Sequence, residues 1–375
     1  MNNSAGNAEA WTIEQVAAFE HQITGVSVSE DNRIFVNFPR WTEDTAVSVA
    51  ELLQDGTLRP YPDETWNAWR NARKDELPPD EHWVCVQSIV ADGRGSLWVL
   101  DPAAPAQAHL VSGGAKLVQV DLATDRVVRS IVFDEVAAPQ GSYLNDVRFS
   151  NDGRYAFITD SGVVGAILVV DLGSGNGNGN GNGNGKVMRL LDGHPSTQMK
   201  KGLNVKADGR ELRRPDGRGV EFSADGIALS DDGRWLYWQA IKGDTLYRIA
   251  TDVLTGEGLQ GGDADTEIGD AVEEFGRNGV SDGLLIPRGT NKMLLSAVED
   301  DAVKVRDLDA GPAGEPQVLV QDARLRWPDT FTQGPDGAIY VTASHIQDSA
   351  FFKPDAPAAL PTRLWRLQSG PGVQL

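Results

Sequence analysis

One cysteine, Cys85, stands in 375 residues, so no disulfide can form within the chain. It lies in the alternating apolar segment WVCVQSIV, where a quiet core thiol fits better than a nucleophile. Basic residues are scarce. Lys and Arg total 34 against 54 Asp and Glu, a net charge of −20. Such a surface repels nucleic acid and anionic membranes, and no basic patch with interleaved aromatics offsets it. It suits cations, cationic ligands or solubility alone. No apolar run reaches the length of about 18 residues that a membrane-spanning helix needs. The first ten residues, MNNSAGNAEA, lack the apolar core of a signal peptide. That leaves a cytoplasmic protein, or one whose signal segment is absent from this sequence. No Gly-x-Ser-x-Gly elbow supports serine hydrolysis, and no Cys/His cluster has zinc spacing. Neither a nucleotide nor a haem cofactor is expected. Long helical patterns are also missing. The best candidate is Asp265 to Phe275, too little for a doubly wound α/β fold.

What recurs is a tight turn followed by a strand. The copies are SVSEDNRIFVNF from Ser27, SIVADGRGSLWVL from Ser88, RFSNDGRYAFITD from Arg148, ALSDDGRWLYWQA from Ala228, LLIPRGTNKMLLS from Leu284 and TQGPDGAIYVTA from Thr332. Asp-Gly and Asp-Asn supply the left-handed backbone of tight hairpins. The runs after them are rich in β-branched and aromatic residues. Third strands follow, as in GAILVVDL from Gly165 and AVKVRDLD from Ala302. These units predict an all-β six-bladed β-propeller of four-stranded antiparallel blades. The last blade stops at its third strand and borrows an outer strand from the chain's start, near Glu14–His21. A polar tail over residues 1–13 precedes a single propeller over 14–375. The Gly/Asn tract 174–186 reads as a flexible loop, and 59–79 and 191–219 as rim insertions.

Several stretches resemble the major royal jelly protein and Yellow family, in particular its bacterial members. They are ITGVSVSEDNRIFVNFPRW, YPDETWNAW, YLNDVRFS, GIALSDDGRWLYW and VSDGLLI. The resemblance implies a six-bladed propeller distantly like the gluconolactonase and regucalcin group. It implies a secreted or periplasmic location, and a small amine or aromatic ligand in the central channel. Dopachrome-type conversion is the activity linked to other members. In the gluconolactonase-like relatives a Glu, an Asn and an Asp hold a metal. Here Gly25 lies where that Glu would precede the first blade's strand.

In a propeller the innermost strands run along the axis. The residues ahead of the turns include Gln87, Asn145, Asp146, Asp225, Asp282 and Asp329. Carboxylates matched in position on a ring converge and repel unless a cation compensates. Calcium, with its preference for oxygen ligands, is the simplest candidate, held by Asn145, Asp146, Asp282 and Asp329. Asp near turns also caps local backbone, and Asp225, in Asp225-Gly226, reads as a turn of its own. His345 on a rim loop could touch a ligand or act as a base, with Glu299 a weaker candidate. Trp66, Trp69 and Trp327 could receive a cationic amine face-on, or simply pack. The expectations are therefore a small-molecule binding protein, a metal-dependent lactonase-like hydrolase, or a structural or protein-interaction propeller.

Overall fold

The computed structural model describes residues 11–107, 109–173, 185–259, 263–356, 359–370 and 375. Residues 1–10 and most of the Gly/Asn tract lie outside the described residues. Six four-stranded antiparallel sheets are arranged as a propeller, with one small two-stranded ribbon besides. The innermost strands are Gly25–Val28, Ser88–Ala91, Leu144–Phe149, Ala224–Leu229, Leu284–Leu285 and Pro328–Gln333. We number the blades one to six in that order.

Each hairpin is set by its own turn chemistry. In blades three and four the hydroxyls of Ser150 and Ser230 bond Asp152 and Asp232 at 2.5 and 2.6 Å. The same hydroxyls accept the N–H groups of Tyr155 and Trp235, both at 2.9 Å. Gly153 and Gly233 then take φ near +73°, which a side chain would resist. The second strands are buried on both faces because each blade is sandwiched between two others. Ile158 packs in a cluster with Trp98 and Val147, while its neighbour Phe157 packs with Ile227 and Trp238 of the next blade. This is why Tyr155–Asp160 reads YAFITD, nearly continuous apolar residues rather than an alternation.

The ring closes as the truncated last blade requires. Trp11–Phe19 pairs antiparallel with Thr362–Ser369, from Trp11 opposite Ser369 to Phe19 opposite Thr362. The closing strand begins three residues before Glu14 and ends short of His21, whose Nδ1 lies 3.2 Å from Glu43. The helix expected over Asp265–Phe275 is shorter. It spans Ala264–Asp270, and Glu273–Arg277 is instead the outermost strand of blade four. Pairing with Thr245–Ala250 and the contact of Phe275 with Tyr237 override the local helical preference there. Lys186 likewise opens the outermost strand of blade three.

Both rim segments fold onto the body. Leu203, Val205, Ala207 and Leu212 of the 191–219 segment join the largest apolar cluster. Arg326 grips Asp208 of the same segment through two bonds of 2.9 and 3.1 Å. In the 59–79 segment Trp69 is buried and Trp66 lies 4.4 Å from Trp83, ring to ring.

Candidate functional site

Hairpin closure defines a common landmark in five blades: the N–H of Ser29, Asp92, Ser150, Ser230 or Gly334 bonds back across its turn. Five residues before these stand Thr24, Gln87, Asn145, Asp225 and Asp329. Asp282 stands five before Pro287, the corresponding position in blade five. One ring position per blade thus carries a hydroxyl, two amides and three carboxyl groups. The amides and carboxyls are no more than 7% exposed.

Their side chains meet. Tyr143 donates to Gln87 Oε1 at 2.9 Å, and Gln87 Nε2 reaches Asn145 Oδ1 at 3.3 Å. Asn145 Nδ2 donates to Asp225 Oδ2 at 2.5 Å and to Ser161 Oγ at 2.9 Å. Asp225 is hydrogen-bonded to Asp282, and Trp327 Nε1 donates to the other side of the pair, Asp282 Oδ2, at 2.7 Å. Two carboxyl groups share a hydrogen bond only if one keeps its proton. Burial, and then the charges of Asp282, Asp329 and Asp146, push Asp225 well above the usual carboxylate range. Asp329 is raised well above it by burial and by Asp282. Burial raises Asp282 to about 7, against the pull of the Trp327 and Asp225 bonds.

Asp225 therefore belongs to this array and is not a local turn. Its strand, Ala224–Leu229, starts one residue earlier, and the register shifts between Ala224 and Gly226 to turn the carboxyl inward. Gly226 allows the close approach of the next blade, since a Cβ there would sit 2.1 Å from Asp282 O. At Gly25, the position that corresponds to the relatives' Glu, a Cβ would meet Asn37 Oδ1 at 2.0 Å. The ring residue of blade one is Thr24, whose hydroxyl accepts from Asn37 Nδ2 at 2.9 Å.

Asp146 sits one residue nearer the turns. Its Oδ1 accepts from Ser88 Oγ at 2.7 Å, Val147 N at 2.8 Å and Arg148 Nη1 at 2.8 Å. Asp146 and Arg148 line a cavity of about 450 Å³ that opens between the hairpin turns. On the loop side the array is packed over. Trp41, Tyr143, Phe222, Trp327 and Ile346 share one apolar cluster, and Trp41 Nε1 bonds Tyr143 OH at 2.5 Å. Trp327 thus serves as a buried donor, and Trp66 and Trp69 are packed in the blade-one insertion. His345 stands apart. Its Nδ1 lies 2.8 Å from Ala359 O, so that nitrogen carries the hydrogen, and burial lowers its pKa. Glu299 accepts from Lys206 N at 2.7 Å on the rim.

The ring's donor set is all oxygen and amide, which suits a hard cation and not zinc. Its members are nevertheless bonded to one another. Among the described residues no three or more His, Cys, Asp or Glu side chains are gathered as a metal would need.

Fold and axis together define a six-bladed propeller with a hydrogen-bonded polar centre. The family profile described as Major royal jelly protein matches residues 84–349, and the chain belongs to that family. No curated protein sequence matches it. Among solved structures, a gluconolactonase from Xanthomonas campestris is similar at 13% identity. That match covers 98% of this chain and 92% of the other, with a TM-score of 0.55. A luciferin-regenerating enzyme is similar at 10% identity over 97% of each chain, TM-score 0.55. A calcium-binding regucalcin from Agrobacterium tumefaciens is similar at 16% identity, covering 95% of this chain and 94% of the other, TM-score 0.50. These likenesses establish the shared propeller fold.

Proposed function

We propose that the protein binds a small cation-bearing molecule in the turn-side cavity of its channel, with Asp146 as the counter-charge. The observation that carries this reading is the cavity itself. It sets the Asp146 carboxylate, with Glu30 and Asp92 also on the wall, beside an apolar surface that includes Val26, Ile89, Leu285 and Phe331. Asp146 Oδ2 has no hydrogen-bond partner among the described residues, so it can accept from an ammonium. Amine binding is also what the family resemblance implies. Calorimetric titration with 2-phenylethylamine tests the reading. Asp146→Asn should weaken binding by about tenfold or more, the worth of one charge-assisted hydrogen bond. Equal affinity in the two proteins would refute it.

A second reading rests on a rearranged form of the buried array, whose carboxyl groups are not gathered for a metal as they stand. Asn145, Asp225, Asp282 and Asp329 would then hold calcium, which would supply polarisation of a carbonyl or lactone. Loading the site requires Asp225 to release its proton and Asn145 to present its amide oxygen, so affinity should rise with pH. Calcium should then raise the melting temperature more at pH 8 than at pH 6, and Asp282→Ala should abolish the effect. Identical melting with calcium and with chelator at pH 8 would remove this reading.

A further inference from the structure

Resting on the proposed turn-side cavity, we infer that its ligand also carries a carboxylate: an amino-acid-like zwitterion whose acid end is taken by Arg148 and Arg288. Arg148 follows Asp146 by two residues on the same strand, and both line the cavity. Its Nη1 bonds Asp146 Oδ1 and Val147 O, each at 2.8 Å, and its Nη2 reaches Leu284 O of blade five at 3.1 Å. The guanidinium is thereby held in place by two blades. Its Nε–H and second Nη2–H meet no acceptor among the described residues, while the residue lines the cavity.

Arg288 lines the same cavity from the blade-five turn. It donates to the carbonyls of Gln333 at 3.4 Å and Gly334 at 2.5 Å. No carboxylate among the described residues lies within ion-pair distance of it, in a chain with 54 acidic residues. Asp92, on the same wall, spends its oxygens on Arg94 N, Ser96 N and Trp98 Nε1. A simple monocation would be drawn by Asp146 and Glu30 but would lie beside Arg148 and pass Arg288, both repelling it. A molecule with ammonium and carboxylate on one carbon turns that repulsion into a second set of bonds. Its ammonium meets Asp146 Oδ2 and its carboxylate meets the free guanidinium N–H groups. Carboxylate recognition by a pre-held guanidinium is strong because the donor fork is already ordered. The alternative is that both arginines only brace blades and turns.

Calorimetry with phenylalanine, 2-phenylethylamine and 3-phenylpropionate separates the possibilities. Phenylalanine should bind about tenfold or more tightly than the amine. That ratio should fall toward one in Arg288→Gln and in Arg148→Gln, with folding verified by thermal melting. The exposed Arg288 carries the test alone should Arg148→Gln not fold. An amine that binds as tightly as phenylalanine would overturn the inference and leave the proposed function standing. So would a ratio unchanged in the folded variants. Binding of neither amine nor phenylalanine, or of 3-phenylpropionate alone, would overturn both.

Discussion

Asp225 and Asp282 share a hydrogen bond that exists only while one carboxyl keeps its proton. Their raised pKa values make stability depend on pH in a definite direction. Between about pH 4 and the folded values, the folded state retains protons that the unfolded chain has shed. The contribution is complete below about pH 4 and fades as pH rises, through about 7 for Asp282. Asp225→Asn keeps a donor for Asp282 and an acceptor for Asn145, and it removes Asp225's own titration. The variant should match the parent in melting temperature at pH 4 and exceed it by a few degrees at pH 8, in chelator. A parent that melts no lower than the variant at pH 8 would contradict the assignment. Much of this array was legible in the sequence. Gln87, Asn145, Asp282 and Asp329 were expected to converge, and the structure brings them together. Asp225 was not, because Asp-Gly is also a turn signal and only strand register tells the two apart. Asn145 and Asp146 both precede the blade-three turn; counting back from the residue that closes the hairpin keeps Asn145 in the ring, sets Asp146 one place nearer the turn and adds Thr24. Arg148 had no signal, since its role depends on reaching Leu284 O across the axis.

Blades stand or fall by their edges and their buried charges. Lys116, on the third strand of blade two, is wholly buried with Asp101 at 2.9 Å and also bonds Pro79 O and Gly114 O. Asp101 in turn accepts the N–H groups of Val84, Cys85 and Ala103. This pair ties the blade-one insertion to blade two. Lys116→Met would leave a buried carboxylate without its cation and should cost about 3–5 kcal/mol in chemical denaturation. A loss below about 1 kcal/mol would show that the carboxylate is satisfied by its amide donors alone. Removing residues 1–19 should be more damaging. It strips Trp11, Ile13 and Phe19 from the core, worth about 1.5–3 kcal/mol each, and bares the edge of Thr362–Ser369. Lower melting and self-association in sedimentation are the expected signs. A monomer of parental stability would contradict the closure argument. The turns announced the blades because Asp-Gly fixes backbone locally. The outermost strand of blade four is not legible locally, because EIGDAVEEF has helix-compatible spacing throughout and its end becomes a strand only by pairing with Thr245–Ala250.

At the scale of the molecule, a chain of charge −20 surrounds a centre whose carboxyl groups have raised pKa values, and the Asp146–Arg148 ion pair lines the turn-side cavity. The propeller persists in structures only 10–16% identical because hairpin turns and interblade packing tolerate many sequences. The chemistry at the axis is free to differ. A crystal structure of the protein soaked with 2-phenylethylamine tests the central claim most directly. The account predicts the amine in the turn-side cavity with its nitrogen within hydrogen-bond reach of Asp146 Oδ2. An empty turn-side cavity with the amine lodged among the loop-side aromatics would contradict it.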